Sequence, residues 1–323
     1  MERKLWQYLV KPSSLEFFHQ GRRTPGFSLF DWLHGYVYAR WPYLYIGIGT
    51  GEHRLARVIK PLFGLFSRLF PRRAKPIHGR AATTGALNDN KPPRATFADT
   101  YHGKVVPLKS AIQLVSVNED IKLTNLEKIV PYIKARDIIM KNPAHILALE
   151  CPCRTARQSP CLPLDVCLII GDPFASFIEE HHPGRSRRIT AEEAVEILHA
   201  EDERNHVHHA FFKDAMLGRF YAICNCCACC CGAMQAQRHG TPMLASSGYL
   251  NHVDQSLCIA CGDCVESCQF GALTLAAHSV SVDEQTCMGC GICVSHCEQG
   301  ALSLERELVK GEPLEIFALI SRF

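Results

Sequence analysis

The stretch Cys258–Leu275, CIACGDCVESCQFGALTL, returns further along the chain as Cys287–Leu304, CMGCGICVSHCEQGALSL. Cysteines at 258, 261, 264 and 268 keep the same frame as those at 287, 290, 293 and 297, and Gly271-Ala272-Leu273 matches Gly300-Ala301-Leu302. Thiols spaced x2, x2, x3 put three soft ligands on one tight loop and a fourth just beyond it. That pattern suits capture of a thiophilic metal centre. Because the duplication is in phase, the chain carries two sites of one kind. Paired zinc sites are the competing assignment, since CxxC also suits tetrahedral zinc.

This spacing resembles the bacterial dicluster ferredoxins, over residues 249–306. The resemblance implies two 4Fe-4S cubes, each held by three cysteines of one motif and the last cysteine of the other. Carried onto this chain, one cube takes Cys258, Cys261, Cys264 and Cys297, and the other Cys287, Cys290, Cys293 and Cys268. The chain departs from that family's pattern where proline usually follows the last cysteine. Gln269 and Glu298 stand there, which removes a stiff turn residue but no ligand. Glycines at 262, 289 and 291 let backbone amides approach the cluster sulfurs. A cube capped on all four irons offers no place for substrate, so the implied activity is single-electron relay.

Ten further cysteines lie upstream: Cys151, Cys153, Cys161, Cys167, and then Cys224, Cys226, Cys227, Cys229, Cys230 and Cys231 in CNCCACCC. They are candidate ligands of one or two further iron–sulfur clusters, not all of them required, with zinc or free redox thiols as weaker alternatives. Neighbouring side chains diverge, so CNCCACCC alone is an awkward cage. On a helix, Cys224, Cys227 and Cys231 would share one face and Cys226 and Cys230 another. Cysteines of CPCR and Cys161 or Cys167 would then complete each site from across the domain. The combination of ALECPCR, PLDVCLIIG, EEAVEIL and ICNCCACCCG is similar to a group of anaerobe-type 4Fe-4S-binding proteins, from about residue 105 to 306. His206, His208 and His209 are read as solvated rather than ligating.

All 18 cysteines fall within the C-terminal part of a 323-residue chain, and the first 150 residues have none. A disulfide framework belongs to small exported chains, whereas MERKLWQYLVKPSS has no apolar signal core. The expected location is therefore cytoplasmic, with a peripheral place at the inner membrane face.

Charge divides the chain. Residues 1–80 carry 14 basic and 4 acidic residues, residues 81–249 carry 18 and 18, and residues 250–323 carry 3 and 10. A basic front suits an anionic surface or an acidic redox partner, and no nucleic-acid motif accompanies it. Within it, residues 52–73 place Leu55, Val58, Ile59, Leu62 and Phe66 at helical spacing with arginines off that stripe, a basic amphipathic segment able to contact a membrane. No span of transmembrane length is present. Tyr45–Gly51 (YIGIGTG) is read as a tight loop.

The capping-box pattern Thr124–Glu127 predicts a helix running to Asn142-Pro143, and Thr190–Glu193 predicts another toward Asn205. The expected architecture is α+β: a basic amphipathic region (1–78), a linker (79–104), a helical cysteine-rich domain (105–245), a small pseudo-two-fold ferredoxin domain (246–308) and a tail (309–323). The expected function is an iron–sulfur electron-transfer protein; the alternative is a reductase whose middle cysteines carry out disulfide or other reductive chemistry fed by the ferredoxin clusters.

Overall fold

The computed structural model describes residues 11–57, 101–132 and 137–322. Residues 58–73 of the amphipathic segment and 79–100 of the expected linker lie outside these.

The centre of the molecule is a sheet. Its strands are β1 (Tyr101–Val105), β2 (Ile121–Leu123), β3 (Ile138–Leu149), β4 (Cys167–Asp172), β5 (Ser186–Ile189), β6 (Val207–Lys213), β7 (Arg219–Cys226) and β8 (Leu244–Ala245). They run in the order β2-β3-β4-β7-β6-β1-β8, with β5 also on β3. All these pairings are antiparallel except β1 with β8. The expectation of a mostly helical cysteine-rich domain is therefore corrected, and so is the linker boundary, because Tyr101–Val105 is a full member of the sheet.

The helical reading failed because both faces of this sheet are covered. Along β3, Leu147 and Leu149 enter one core while Ile146 and Ala148 enter the other, and along β4 Cys167 and Ile169 oppose Leu168 and Ile170. Strands buried on both faces read as continuous apolar runs, without the alternation that identifies a strand in sequence. The helix expected from Thr124 does not form. Strand β3 instead runs straight through Asn142-Pro143, where Asn142 takes φ 49° and the register with β4 shifts between Lys141 and Ile146. This is a bulge, with proline at the irregularity where no ladder donor is needed.

Helices α1 (Pro12–Arg23), α2 (Leu29–Arg40) and α3 (Pro42–Thr50) cover one face of the sheet. Proline opens α1 and α3, and Ser28 and Asp31 form a reciprocal capping box on α2. Tyr45–Gly51 is thus the body and left-handed cap of α3, not a tight loop. Phe17 of α1 is 1% exposed against Phe174 and Phe177 of α6 (Phe174–His181), with α4 (Leu108–Val115) and α5 (Pro152–Thr155) preceding it in the chain. At Gly35 a Cβ would meet the Ala215 carbonyl oxygen at 2.0 Å, so α2 sits closer to the β6–β7 turn than any side chain there would permit.

The other face carries α4 and α7 (Ala191–Glu203). Helix α7 starts where its capping box predicts, with the Thr190 hydroxyl accepting the Glu193 amide at 3.2 Å. Helix α8 (Gly232–Arg238) leads into the C-terminal region, where β9 (Tyr249–Val253) pairs with β12 (Leu302–Arg306) and β10 (Leu273–Leu275) with β11 (Val280–Val282). Short helices α9 (Asp263–Ser267) and α10 (Ile292–Ser295) lie between them, and α11 (Ile316–Ile320) returns to the second core. No described helix is long and apolar enough to cross a membrane.

Candidate metal centres

The two halves of the C-terminal repeat have the same local geometry. Gly262 (φ 93°, ψ −10°) and Gly291 (φ 90°, ψ −9°) are the left-handed N-caps of α9 and α10. Asp254 and Asp283 each accept amides just before the first cysteine, and their carbonyls receive the Cys258 and Cys287 amides at 3.1 and 2.9 Å. The residue directly before the second cysteine is left-handed in both halves: Gly289 at φ 63° and Ala260 at φ 56°. At Gly289 glycine is required, since a Cβ would lie 2.1 Å from the Tyr249 carbonyl oxygen.

Cys264 feels the charges of Cys261, Cys297 and Cys258, and Cys293 those of Cys290, Cys268, Cys287 and, last, Cys264. The last cysteine of each motif therefore lies beside the other motif's loop. The two groups differ in depth at their first two positions: Cys258 is half-buried and Cys261 exposed where Cys287 is buried and Cys290 half-buried, while Cys264 and Cys293 are both buried. Burial pushes the Cys290 thiol up to about 12, so it becomes a thiolate only with a compensating cation.

CNCCACCC is not a helix. Cys224–Cys226 end strand β7, Cys227–Cys230 turn, and Cys231 caps α8. That break divides the ten upstream cysteines into two sets. Cys167 on β4 lies directly across from Cys224 on β7. Six thiols run as an arc of neighbours, Cys224–Cys167–Cys151–Cys153–Cys231–Cys226, and because its two ends, Cys224 and Cys226, stand two residues apart on the same strand β7, the arc bends round into a ring. All six line a cavity of ≈ 570 Å³, to whose wall Cys227 and Cys230 also contribute. Tyr38 and Tyr45 of α2 and α3, Tyr221 of β7 and Met216 complete its wall, and Tyr38 and Tyr221 share a hydrogen bond of 2.8 Å. The remaining four, Cys161, Cys227, Cys229 and Cys230, have all their sulfurs within 4.8 Å of one another.

Polar groups hold these sets in place. Arg154, 1% exposed, donates to Glu201, to the Pro163 carbonyl and to the Asn225 carbonyl between Cys224 and Cys226. The Asn225 side chain meets His208 at 2.6 Å and donates to the Val166 carbonyl. Asp202 stands 3.6 Å from the same imidazole and accepts from Ser295 of α10. His206, His208 and His209, expected in solvent, are at most 6% exposed on or beside β6. His206 pairs with Glu201, and burial pushes His209 down to about 3, so it stays neutral. The sequence carried a usable signal for this: in HVHHAFFK the histidines run directly into Ala210-Phe211-Phe212, an apolar stretch that suits a buried strand.

The ferredoxin-like region docks on the same core. Met288 and Ile292 belong to the core that contains Cys151, Cys167, Cys226 and Cys231, with Phe270 and Cys290 packed against it. Gln269 accepts the amide of Ala228, and Arg238 donates to the Gln269 carbonyl.

Residues 257–301 match the 4Fe-4S dicluster domain family. No curated protein matches the chain. The C-terminal region is thus a ferredoxin-like dicluster domain, and with the cysteine content this supports iron–sulfur electron transfer as the chain's general chemistry.

Proposed function

We propose that the chain is an electron-transfer protein relaying single electrons through two 4Fe-4S clusters of its C-terminal domain to a further iron–sulfur centre in the six-thiol cavity. The observation that carries this reading is the packing of the inner ferredoxin-like loop, through Met288, Ile292 and Cys290, onto the core that contains the ring. In this proposal Cys258, Cys261, Cys264 and Cys297 hold the outer cluster, and Cys287, Cys290, Cys293 and Cys268 the inner one. Exposure of Cys261 makes the outer cluster the port for a redox partner. The inner cluster, buried, passes the electron inward.

The residues present fit such groups. Both C-terminal sets supply four thiols, and the ring offers six soft ligands around one space, with Arg154 beside Cys151 to offset thiolate charge. The reductase alternative draws on the same ring: a cavity walled by Tyr38, Tyr45 and Tyr221 could admit a small substrate beside the cluster. The acidic C-terminal region favours a basic partner, so exchange should slow as ionic strength rises. The basic front, residues 52–73 included, is proposed to contact an anionic membrane surface.

The test is iron and acid-labile sulfide per chain after anaerobic purification. About twelve or more of each supports a centre in the ring, whereas about eight confines clusters to the C-terminal domain and overturns it.

A further inference from the structure

We infer that Cys161, Cys227, Cys229 and Cys230 form a site for a single divalent ion, zinc or iron, distinct from every iron–sulfur cluster in the chain. All four sulfurs lie within 4.8 Å of one another, with Cys161 to Cys229 at 3.2 Å and Cys229 to Cys230 at 3.7 Å. A tetrahedral ion with metal–sulfur bonds of about 2.3 Å needs ligand sulfurs about 3.8 Å apart. A cube spreads its capping thiolates wider, because each sits outside an iron vertex and the irons are themselves held apart by bridging sulfides.

The molecule contains its own control for that comparison. Among the described residues, no three of the eight C-terminal cysteines come within 4.8 Å of one another, and no three of the ring cysteines do. Among the described residues, the four-thiol group is therefore where cysteine sulfurs converge tightly enough for all of them to share one ion. A disulfide does not explain the close pair, since 3.2 Å far exceeds a sulfur–sulfur bond of about 2.05 Å.

The surrounding backbone is built to hold this turn. Gln235 donates to the Cys229 carbonyl at 2.7 Å, Arg157 to the Cys230 carbonyl at 3.2 Å, and Ala228 donates to Gln269. Four thiolates on a divalent ion leave a net negative charge, and the Arg157 guanidinium, which donates to the Cys230 carbonyl, stands beside it. Four protein ligands close the coordination sphere, which is the arrangement of a structural ion and leaves no open position for substrate. Its effect is to tie the loop carrying Cys161 to the turn on which the ferredoxin-like region docks.

The experiment reads metal against sulfide in the full chain. Clusters hold iron and sulfide in equal number, so the site should appear as one equivalent of zinc, or of iron, unaccompanied by sulfide. X-ray absorption at the zinc and iron edges tells which, and at zinc the first shell should be four sulfurs at about 2.3 Å. The double variant Cys161→Ser/Cys229→Ser should lose that equivalent while sulfide content and the cluster EPR signals stay unchanged. The inference is overturned if metal and sulfide balance in the wild-type chain, if the variant loses iron together with sulfide, or if thiol counting finds Cys161 and Cys229 joined. Because sulfide is counted separately, absence of a cluster in the ring would leave this result readable.

Discussion

The side-chain oxygen of Gln269 accepts the backbone N–H of Ala228 at 2.9 Å, joining the residue after Cys268 to the middle of CNCCACCC. Proline, usual at the first position in the ferredoxins this region resembles, could not make that bond. The departure from the family's pattern thus becomes the contact between two cysteine regions.

Replacing Gln269 by Ala leaves the Ala228 amide without its partner and should cost about 1 kcal/mol of stability, read by denaturant unfolding of the metal-loaded chain. If the bond also positions the inner cluster, electron transfer between it and the ring centre should slow in flash-reduction kinetics. An unchanged rate would make Gln269 a structural contact only.

Cys297→Ser and Cys268→Ser should remove different clusters, although each lies in the opposite motif from the cluster it is assigned to. Each variant should lose about four irons, and EPR should show the remaining signal to differ between the two. Loss of the same signal from both would contradict the crossed assignment.

Cys167→Ser/Cys224→Ser alters two directly opposed ring positions on β4 and β7. Iron and sulfide should both fall, with the two C-terminal cluster signals intact. Retention of full metal content would show that the ring holds no centre.

Arg154→Met should be strongly destabilising. Arg154 and Glu201 are each 1% exposed, and removing the cation leaves a buried carboxylate whose remaining partners are His206 and the half-exposed Arg204. The expected cost is about 3–5 kcal/mol, measured by chemical denaturation. The double change Arg154→Met/Glu201→Gln should recover part of it.

The pair His145–Asp172 predicts a pH window. A hydrogen bond to Asp172 raises His145, so its contribution is full below the ordinary histidine value of 6.5 and is lost as pH rises through the higher folded value. Burial opposes ionisation of Asp172, but hydrogen bonds from His145, Ser176 and Asn142 more than offset it and hold the carboxyl well below 3.8. Its contribution is full above that value and is lost as pH falls toward the depressed folded one. The stability difference between wild type and His145→Gln should therefore be largest between about pH 4 and 6.5 and shrink on the alkaline side. A difference flat across that alkaline limb would rule the pair out as its source.

The C-terminal repeat was legible in the sequence because its determinants are local. Three cysteines within seven residues, a left-handed glycine before each short helix and an aspartate turn before each loop are set by neighbours in the chain, and helix α7 was legible from its capping box for the same reason. The tertiary structure decided everything that depends on strand pairing. Cys167 meets Cys224 only because β4 lies against β7, and the ring closes only because β7 ends inside CNCCACCC, sending Cys224 and Cys226 to one site and Cys227, Cys229 and Cys230 to another. A sheet buried on both faces leaves no alternation to read, and which thiols share a centre is a property of long-range contacts that residue spacing does not encode.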